Sequence, residues 1–236
     1  MQDQAFKLVA LLPIKGHSER VPGKNFRTIA GQPLYRWTLD TLLSLPEVER
    51  VIVNTDARRE LKESGLKEEG FGGRVLIRDR KPQLCGDFVS MNRVLADDIE
   101  AVAADIYLMT HTTNPCLSAA TIRRAIAAFR DARAKGKADS LFTVTRIQTR
   151  FYRADGSPVN HDPDNLVRTQ DLEPWFEENS CLYIFSRESF RATGSRIGRQ
   201  PMLFETTKVE SVDIDDADDW TIAEALLRYR QGKGSA

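Results

Sequence analysis

The stretch Leu8–Ile14, reading LVALLPI, is apolar at every position. A strand with one wet face alternates apolar and polar residues, so a run this continuous belongs to a strand covered on both faces. It is too short to cross a bilayer, and the MQDQAFK before it lacks the positively charged lead of a signal peptide. The theme then repeats. Residues 33–45 read as a helix with Leu34, Trp37, Leu42 and Leu45 towards one side and Pro46 closing it. A second short strand, 51–53, runs into Asn54, Thr55 and Asp56, and a charged helix is expected over 57–69. A third strand follows at 75–77. Helical spacing of Met91, Leu95, Ile99 and Val102 precedes a fourth strand, Ile106–Met109, then a helix over 121–133 and a fifth strand at 141–144. Such alternation predicts an α/β fold, a mostly parallel sheet sandwiched by helices, with ligands bound beyond the carboxyl ends of the strands.

The alternation stops at Arg146. Residues 146–180 are polar and proline-containing, too long for an idle loop in a compact domain, and read as an inserted arm. Strand character returns at 182–185. Asp215 or Asp216 is placed to cap a last helix, with Ile222, Leu226 and Tyr229 as its apolar face, and the small polar tail 231–236 is expected to fray. The 236 residues suit one domain with this insertion. Thirty-four basic residues balance thirty-four acidic ones, which argues against a broad nucleic-acid or membrane surface. Cys85, Cys116 and Cys181 are scattered, with no CxxC pair to suggest zinc or redox chemistry, and fit a cytoplasmic protein.

The first strand leads directly into KGHSERVPGKN. Lys15, Arg20 and Lys24 supply three cations, Gly16 and Gly23 let the backbone turn and approach a ligand, and Pro22 stiffens the loop. A triphosphate needs this combination of exposed N–H donors and positive charge. Six residues between Gly16 and Gly23, and Asn25 after Lys24, exclude a Walker loop, and GxGxxG is absent. Near the other end, SVDIDD sets Asp213 and Asp215 two apart, on one side of an extended segment, where they could hold a magnesium ion. The competing reading is an acidic run that caps a helix, a part open to Asp216, Asp218 and Asp219.

Gly16, Ser18, Arg20, Pro22 and Lys24 together resemble the signature loop of sugar nucleotidyltransferases. The continuation through Asn25, Phe26 and Arg27 into AGQPLYRWTLD, and VIVNTD at 51–56, resemble the acylneuraminate cytidylyltransferases, the CMP-sialic acid synthetase family. That resemblance implies a glycosyltransferase-A-like Rossmann fold with a dimerisation arm, and hence a homodimer. It also implies CTP as nucleotide, Mg2+ as cofactor and a sugar acid as acceptor. Lys24 matches the triphosphate-contacting lysine and Asn25 the nucleotide-contacting asparagine. Lys15 stands where the family has arginine, and Arg20 matches arginines of other nucleotidyltransferases. RKPQLCGD resembles a family stretch shifted by one residue, implying nucleotide recognition by Arg80 with Asp87 and Ser90 nearby. HTTNPCL takes the slot of a family acceptor segment, so His111, Thr112 and Thr113 become substrate candidates; its glutamine is His111 here and its arginine Leu117. RTQDLEPWFEEN loosely resembles a substrate-contacting region of the family, which makes Arg168 a candidate carboxylate clamp and Gln170 a substrate candidate; Asn179 matches a family asparagine, and Glu177 stands where the family has an arginine.

The implied reaction is attack by the anomeric hydroxyl of a nonulosonic 2-keto sugar acid on the α-phosphorus of CTP. Lys15, Arg20 and Lys24 would neutralise the phosphates, with Asp213 and Asp215 at the metal. Alternatives are a 3-deoxy-octulosonate or phosphonate acceptor, another nucleotide, or a nucleotide-sugar-binding protein without catalysis.

Overall fold

A computed structural model of the chain describes residues 6–234; the lead segment 1–5 and the last two residues lie outside the described residues. Seven strands form one sheet in the order β5 (Val75–Asp79), β4 (Arg50–Thr55), β1 (Leu8–Ile14), β6 (Ile106–Met109), β8 (Trp175–Ser186), β7 (Ser140–Ile147) and β9 (Pro201–Glu205). Pairings β1–β4, β1–β6, β4–β5 and β7–β9 are parallel. β8 runs antiparallel to both its neighbours, β6 and β7. The five expected strands are all present and point the same way, so the parallel sheet stands, with one reversed strand wedged into it.

Every residue of β1 is buried, for the reason its composition gave. Leu8, Ala10, Leu12 and Ile14 face a core shared with α1 (Leu34–Leu43) and α4 (Ala119–Ala134), while Val9 and Leu11 face α3 (Met91–Ala101) and α5 (Arg187–Thr193). A third cluster lies under the cleft. There Val21 of the 15–25 loop, Ile29 of the short hairpin β2 (Thr28–Ile29)–β3 (Gln32–Pro33), Ile214, and Trp220, Ala223 and Leu227 of α6 (Ala217–Gly234) pack together. This cluster fastens the carboxyl-terminal segment against the loop that follows β1.

Four sequence expectations are corrected. The charged helix α2 spans only Arg58–Glu63, because Gly65 at φ +89° turns the chain out of it; a 3-10 turn, Glu68–Phe71, follows. The apolar face of α6 is Trp220, Ala223 and Leu227 with Leu226 packed at its margin as expected, whereas Ile222 and Tyr229 are exposed at 51% and 62%. Both stripes satisfy a 3.6-residue period, and the indole of Trp220 decides which one the core takes. The tail also continues as helix through Gly234. Finally, β7 and β8 extend into both ends of the arm, pairing Arg146 with Phe176 and Ile147 with Trp175, so its irregular part is 148–174.

Candidate active site

The loop after β1 closes on itself and then on the core. Lys24 donates its backbone N–H to Val21 (3.1 Å), and Phe26 to Gly23 (2.9 Å), with Gly23 at φ +63°. Gly16 N–H donates to Asp56 Oδ1 (2.7 Å), which is the end of the VIVNTD motif. A Cβ on Gly16 would lie 2.9 Å from that of Ala57, so this close approach of the loop to the end of β4 requires glycine. Buried Asn25 is the hub. Its Nδ2 donates to the Lys15 carbonyl (2.7 Å), and its Oδ1 accepts from the Thr112 hydroxyl. One amide thereby ties both ends of the loop to the segment after β6, and Asn25 and Thr112 shape the site from beneath.

Above this hub lies a cleft of ≈ 270 Å³ at the carboxyl ends of β1, β4, β5 and β6. Lys15, Ser18, Arg20, Lys24 and Asn25 line one side, and Arg80, Asp87, His111, Thr112 and Thr113 the other. The sequence placed these in one site, and the fold assembles them there. It adds Pro13, His17, Glu19 and Met91, which carried no motif of their own. Ser90 is exposed; its backbone carbonyl accepts from Arg93 N–H at the start of α3 (3.0 Å), and its side chain makes no cap bond.

Asp213 and Asp215 flank Ile214, whose side chain is buried in the third cluster and whose N–H donates to the Thr113 carbonyl (2.9 Å). Anchored this way, the two aspartates project on the side away from the core, facing the loop. Lys24 Nζ donates to the Ile214 carbonyl between them (2.6 Å), and Arg20 Nη2 to Asp215 Oδ1 (2.6 Å). Burial lowers the Lys24 ammonium below the ordinary lysine range, with Asp215 and Asp213 opposing. Burial likewise raises the Asp213 carboxyl, against a hydrogen bond from Thr113. Asp213 Oδ1 is buried with no hydrogen-bond partner among the described residues. A carboxylate oxygen unpartnered among the described residues suits a cation supplied with the substrate, so this donor set fits magnesium, which takes one or two carboxylates and phosphate oxygens.

The capping alternative is resolved in the same segment. Asp216 Oδ1 accepts the N–H groups of Asp218 (2.9 Å) and Asp219 (3.0 Å), while Asp219 Oδ2 reaches back to the N–H groups of Asp215 (2.9 Å) and Asp216 (3.1 Å). This reciprocal box starts α6 without drawing on the carboxylates of Asp213 and Asp215.

Lys15 pairs with Asp87, whose carboxyl is lowered first by that hydrogen bond. Each loop cation is thus partnered by a group contributed from a distant segment, and incoming phosphate oxygens would compete for it. The His111 imidazole is pushed down to about 4, mainly by burial and further by Arg196 and Lys24, so it is neutral at physiological pH. Arg196 had no sequence signal. It follows α5, lies 4.0 Å over the Tyr183 ring, donates to the Tyr183 hydroxyl (3.1 Å), and its N–H bonds Asn92 Oδ1 beside Met91 (3.3 Å).

The arm candidates do not join this group. Arg168 makes a bidentate pair with Asp171 (2.7 and 3.1 Å) on the exposed arm, and Gln170 next to it is exposed, its carbonyl accepting from Gln148 (3.2 Å). Asn179 is buried among hydroxyls: its Nδ2 meets Thr145, Thr206 and Ser211 at 3.1, 2.7 and 3.2 Å, a knot joining β7, β8 and the approach to Asp213. None of the three lines the cleft. Glu177 is exposed opposite Thr145, and Leu117, where the family carries arginine, is a core residue.

The family model described as Cytidylyltransferase matches residues 9–226, the span that holds every element of the cleft. The chain belongs to this family. Among curated cytidylyltransferases, the N-acylneuraminate cytidylyltransferase of Oncorhynchus mykiss is 28% identical over 94% of this chain and 51% of its own length. The chain spans about half the length of that relative. The CMP-N,N'-diacetyllegionaminic acid synthase of Legionella pneumophila is 26% identical over 95% of this chain and 98% of its own. Of solved structures, a CMP-2-keto-3-deoxy-manno-octonic acid synthetase complexed with CTP aligns at TM-score 0.66 and 18% identity, over 95% of this chain and 99% of the other. A 4-diphosphocytidyl-2C-methyl-D-erythritol synthase from Anaerococcus prevotii aligns at 0.68 and 14%, over 96% and 97%. These two share the fold.

Proposed function

We propose that this cytidylyltransferase activates a nonulosonic, sialic-acid-like 2-keto sugar acid with CTP, within one nucleotidyltransferase domain. The observation that carries the reading is Lys24 Nζ, from the wall of the cleft, on the carbonyl between Asp213 and Asp215. A cation for the phosphates and two carboxylates for a metal meet at one point although 190 residues separate them. The named activities of the curated relatives support the same chemistry.

In this reading the acceptor hydroxyl loses its proton to solvent as its oxygen attacks the α-phosphorus, the bond from that phosphorus to the bridging oxygen breaks, and pyrophosphate leaves. Lys15, Arg20 and Lys24 align the phosphates and offset their charge, as an in-line transfer requires. Asp213 and Asp215 would hold magnesium, which supplies charge neutralisation at the reacting phosphates. Arg80 and Asp87 form the nucleotide end. Neutral His111, Thr113 and Arg196 form the acceptor end within the subunit. Arg168 reaches an acceptor from the arm of a second subunit, which fits a homodimer and the exposed Trp175 and Phe176 at the arm base. CTP as substrate and three free cysteines fit a cytoplasmic setting. Balanced charge, and no helix among the described residues long and apolar enough to cross a membrane, fit an enzyme of small molecules.

Pyrophosphate release measured with four nucleoside triphosphates against a panel of sugar acids tests the assignment. Release with CTP and a 2-keto sugar acid is expected. Release with another triphosphate but not CTP overturns the cytidylyl reading. CTP binding without release from any pair favours a binding protein.

A further inference from the structure

Arg80 is an arginine at the cleft wall, yet only 9% of it is exposed. Two of its donors are already committed, both to one residue. Nε donates to Asn54 Oδ1 (2.9 Å) and Nη2 to the Asn54 carbonyl (3.0 Å). Backbone pairing holds the two residues in this relation, since Arg80 N–H continues the β4–β5 ladder onto the Thr55 carbonyl (2.7 Å). Nη1 has no hydrogen bond to a described residue, and it is the donor left for a ligand.

Asn54 itself is fully buried, and an amide can present either its oxygen or its NH2 to a neighbour. What chooses here is Asp98, also fully buried, on α3. Its Oδ1 accepts from Asn54 Nδ2 (2.8 Å) and from Arg78, which also bonds Asp97 (2.9 Å). A carboxylate only accepts, so Asn54 must turn its NH2 towards Asp98 and its oxygen towards Arg80. Flipped, the amide would set acceptor against acceptor at Asp98 and donor against donor at Arg80, and leave buried polar groups unpaired. Burial raises Asp98 to about 6, so it remains a carboxylate at neutral pH.

We propose that Asp98 and Asn54 are positioning residues that fix the edge of the Arg80 guanidinium presented to the base of the nucleotide. The proposal rests on the reading of Arg80 as a nucleotide contact. A guanidinium held by one edge offers donors from the other, which match the adjacent O2 and N3 acceptors of cytosine. Uracil carries a donor at N3, so the same edge meets it less well.

The test is calorimetric binding of CTP and of UTP, with magnesium, to the full chain and its variants, with thermal melts alongside. Arg80→Ala is expected to weaken CTP about tenfold or more and to narrow the CTP-over-UTP preference. Asn54→Ala should do the same while folded, and the double variant should bind CTP no more weakly than Arg80→Ala alone, because the two act as one unit. Arg80→Lys, which keeps the charge but loses the planar edge held by Asn54, should behave like Arg80→Ala when melts show it folded. If Arg80→Ala binds CTP within twofold of the wild type, the nucleotide reading of Arg80 fails and the relay with it. If Arg80→Ala weakens CTP but folded Asn54→Ala does not, or if Arg80→Lys binds like the wild type, the relay alone is overturned.

Discussion

The loop 15–25 and the arm 148–174 are both irregular and polar, but they satisfy their polar groups differently. In the loop, partners come from far along the chain: Asp56 for Gly16, Asp87 for Lys15, Thr112 for Asn25, Ile214 and Asp215 for Lys24 and Arg20. In the arm they come from the arm itself: Asn160 to Thr149, His161 to Tyr152, Arg153 to Ser157, Arg168 to Asp171. A loop pinned at Lys15, Gly16, Arg20, Lys24 and Asn25 to distant segments is preorganised for a ligand at low entropic cost. An arm pinned mostly to itself keeps its shape but leaves Tyr152, Leu166 and Val167 exposed, which suits contact with another surface.

Lys24→Ala cuts deepest into that contrast. It should lower kcat/KM about a thousandfold in the pyrophosphate assay, since it removes a preorganised cation from the phosphates. A loss under tenfold would show that the pinned loop is not the phosphate site. Asp213→Asn is expected next, at about a hundredfold in kcat. Its thermal midpoint should hold or rise, because a buried, partly unpaired charge becomes a neutral amide. A fall in the midpoint with kcat intact would make Asp213 structural.

The third prediction concerns pH. The His111 imidazole binds its proton near 4 in the folded state, against 6.5 when free. The unfolded chain therefore takes up the proton first. The stability from neutral His111 is complete above pH 6.5 and is lost as pH falls towards 4. Partial exposure trims the loss to about 2 kcal/mol. Urea unfolding between pH 7 and 4 should show this slope, and His111→Gln should flatten that share of it. An unchanged slope in the variant would place the imidazole in solvent rather than in the cleft wall.

The smallest effect sharpens the arm's side. If Arg168 serves a neighbour's cleft, mixing Lys24→Ala with Arg168→Ala should restore about a quarter of wild-type activity, because half the reassorted dimers carry one complete site. No recovery on mixing, with Arg168→Ala active by itself, would leave the acceptor to Arg196 and remove Arg168 from the site.

How far the residues alone disclosed this depends on contiguity. Lys15, Gly16, Arg20, Lys24 and Asn25 were legible because they fall within one short loop behind a strand of unmistakable pattern. The strands β1, β4, β5, β6 and β7 were legible for a related reason, being apolar runs between turns. The reversal of β8 was not, since nothing in 182–185 encodes strand direction. Nor was the stripe on α6, where two sets of residues fit the same period. Arg196 follows no motif, and Asn54, though inside VIVNTD, becomes meaningful only beside Asp98, 44 residues away.

Sequence determined the buried first strand, the cations and glycines behind it, and the spacing that turns Asp213 and Asp215 one way, because side-chain type and local period are written residue by residue. Tertiary structure decided which aspartates meet the loop cations and which cap α6, and brought Lys24 onto Ile214. The reason is the shared core of Val21, Ile214 and Trp220: apolar burial is non-directional and acts across any chain separation, so only the packed fold settles which distant segments it brings together.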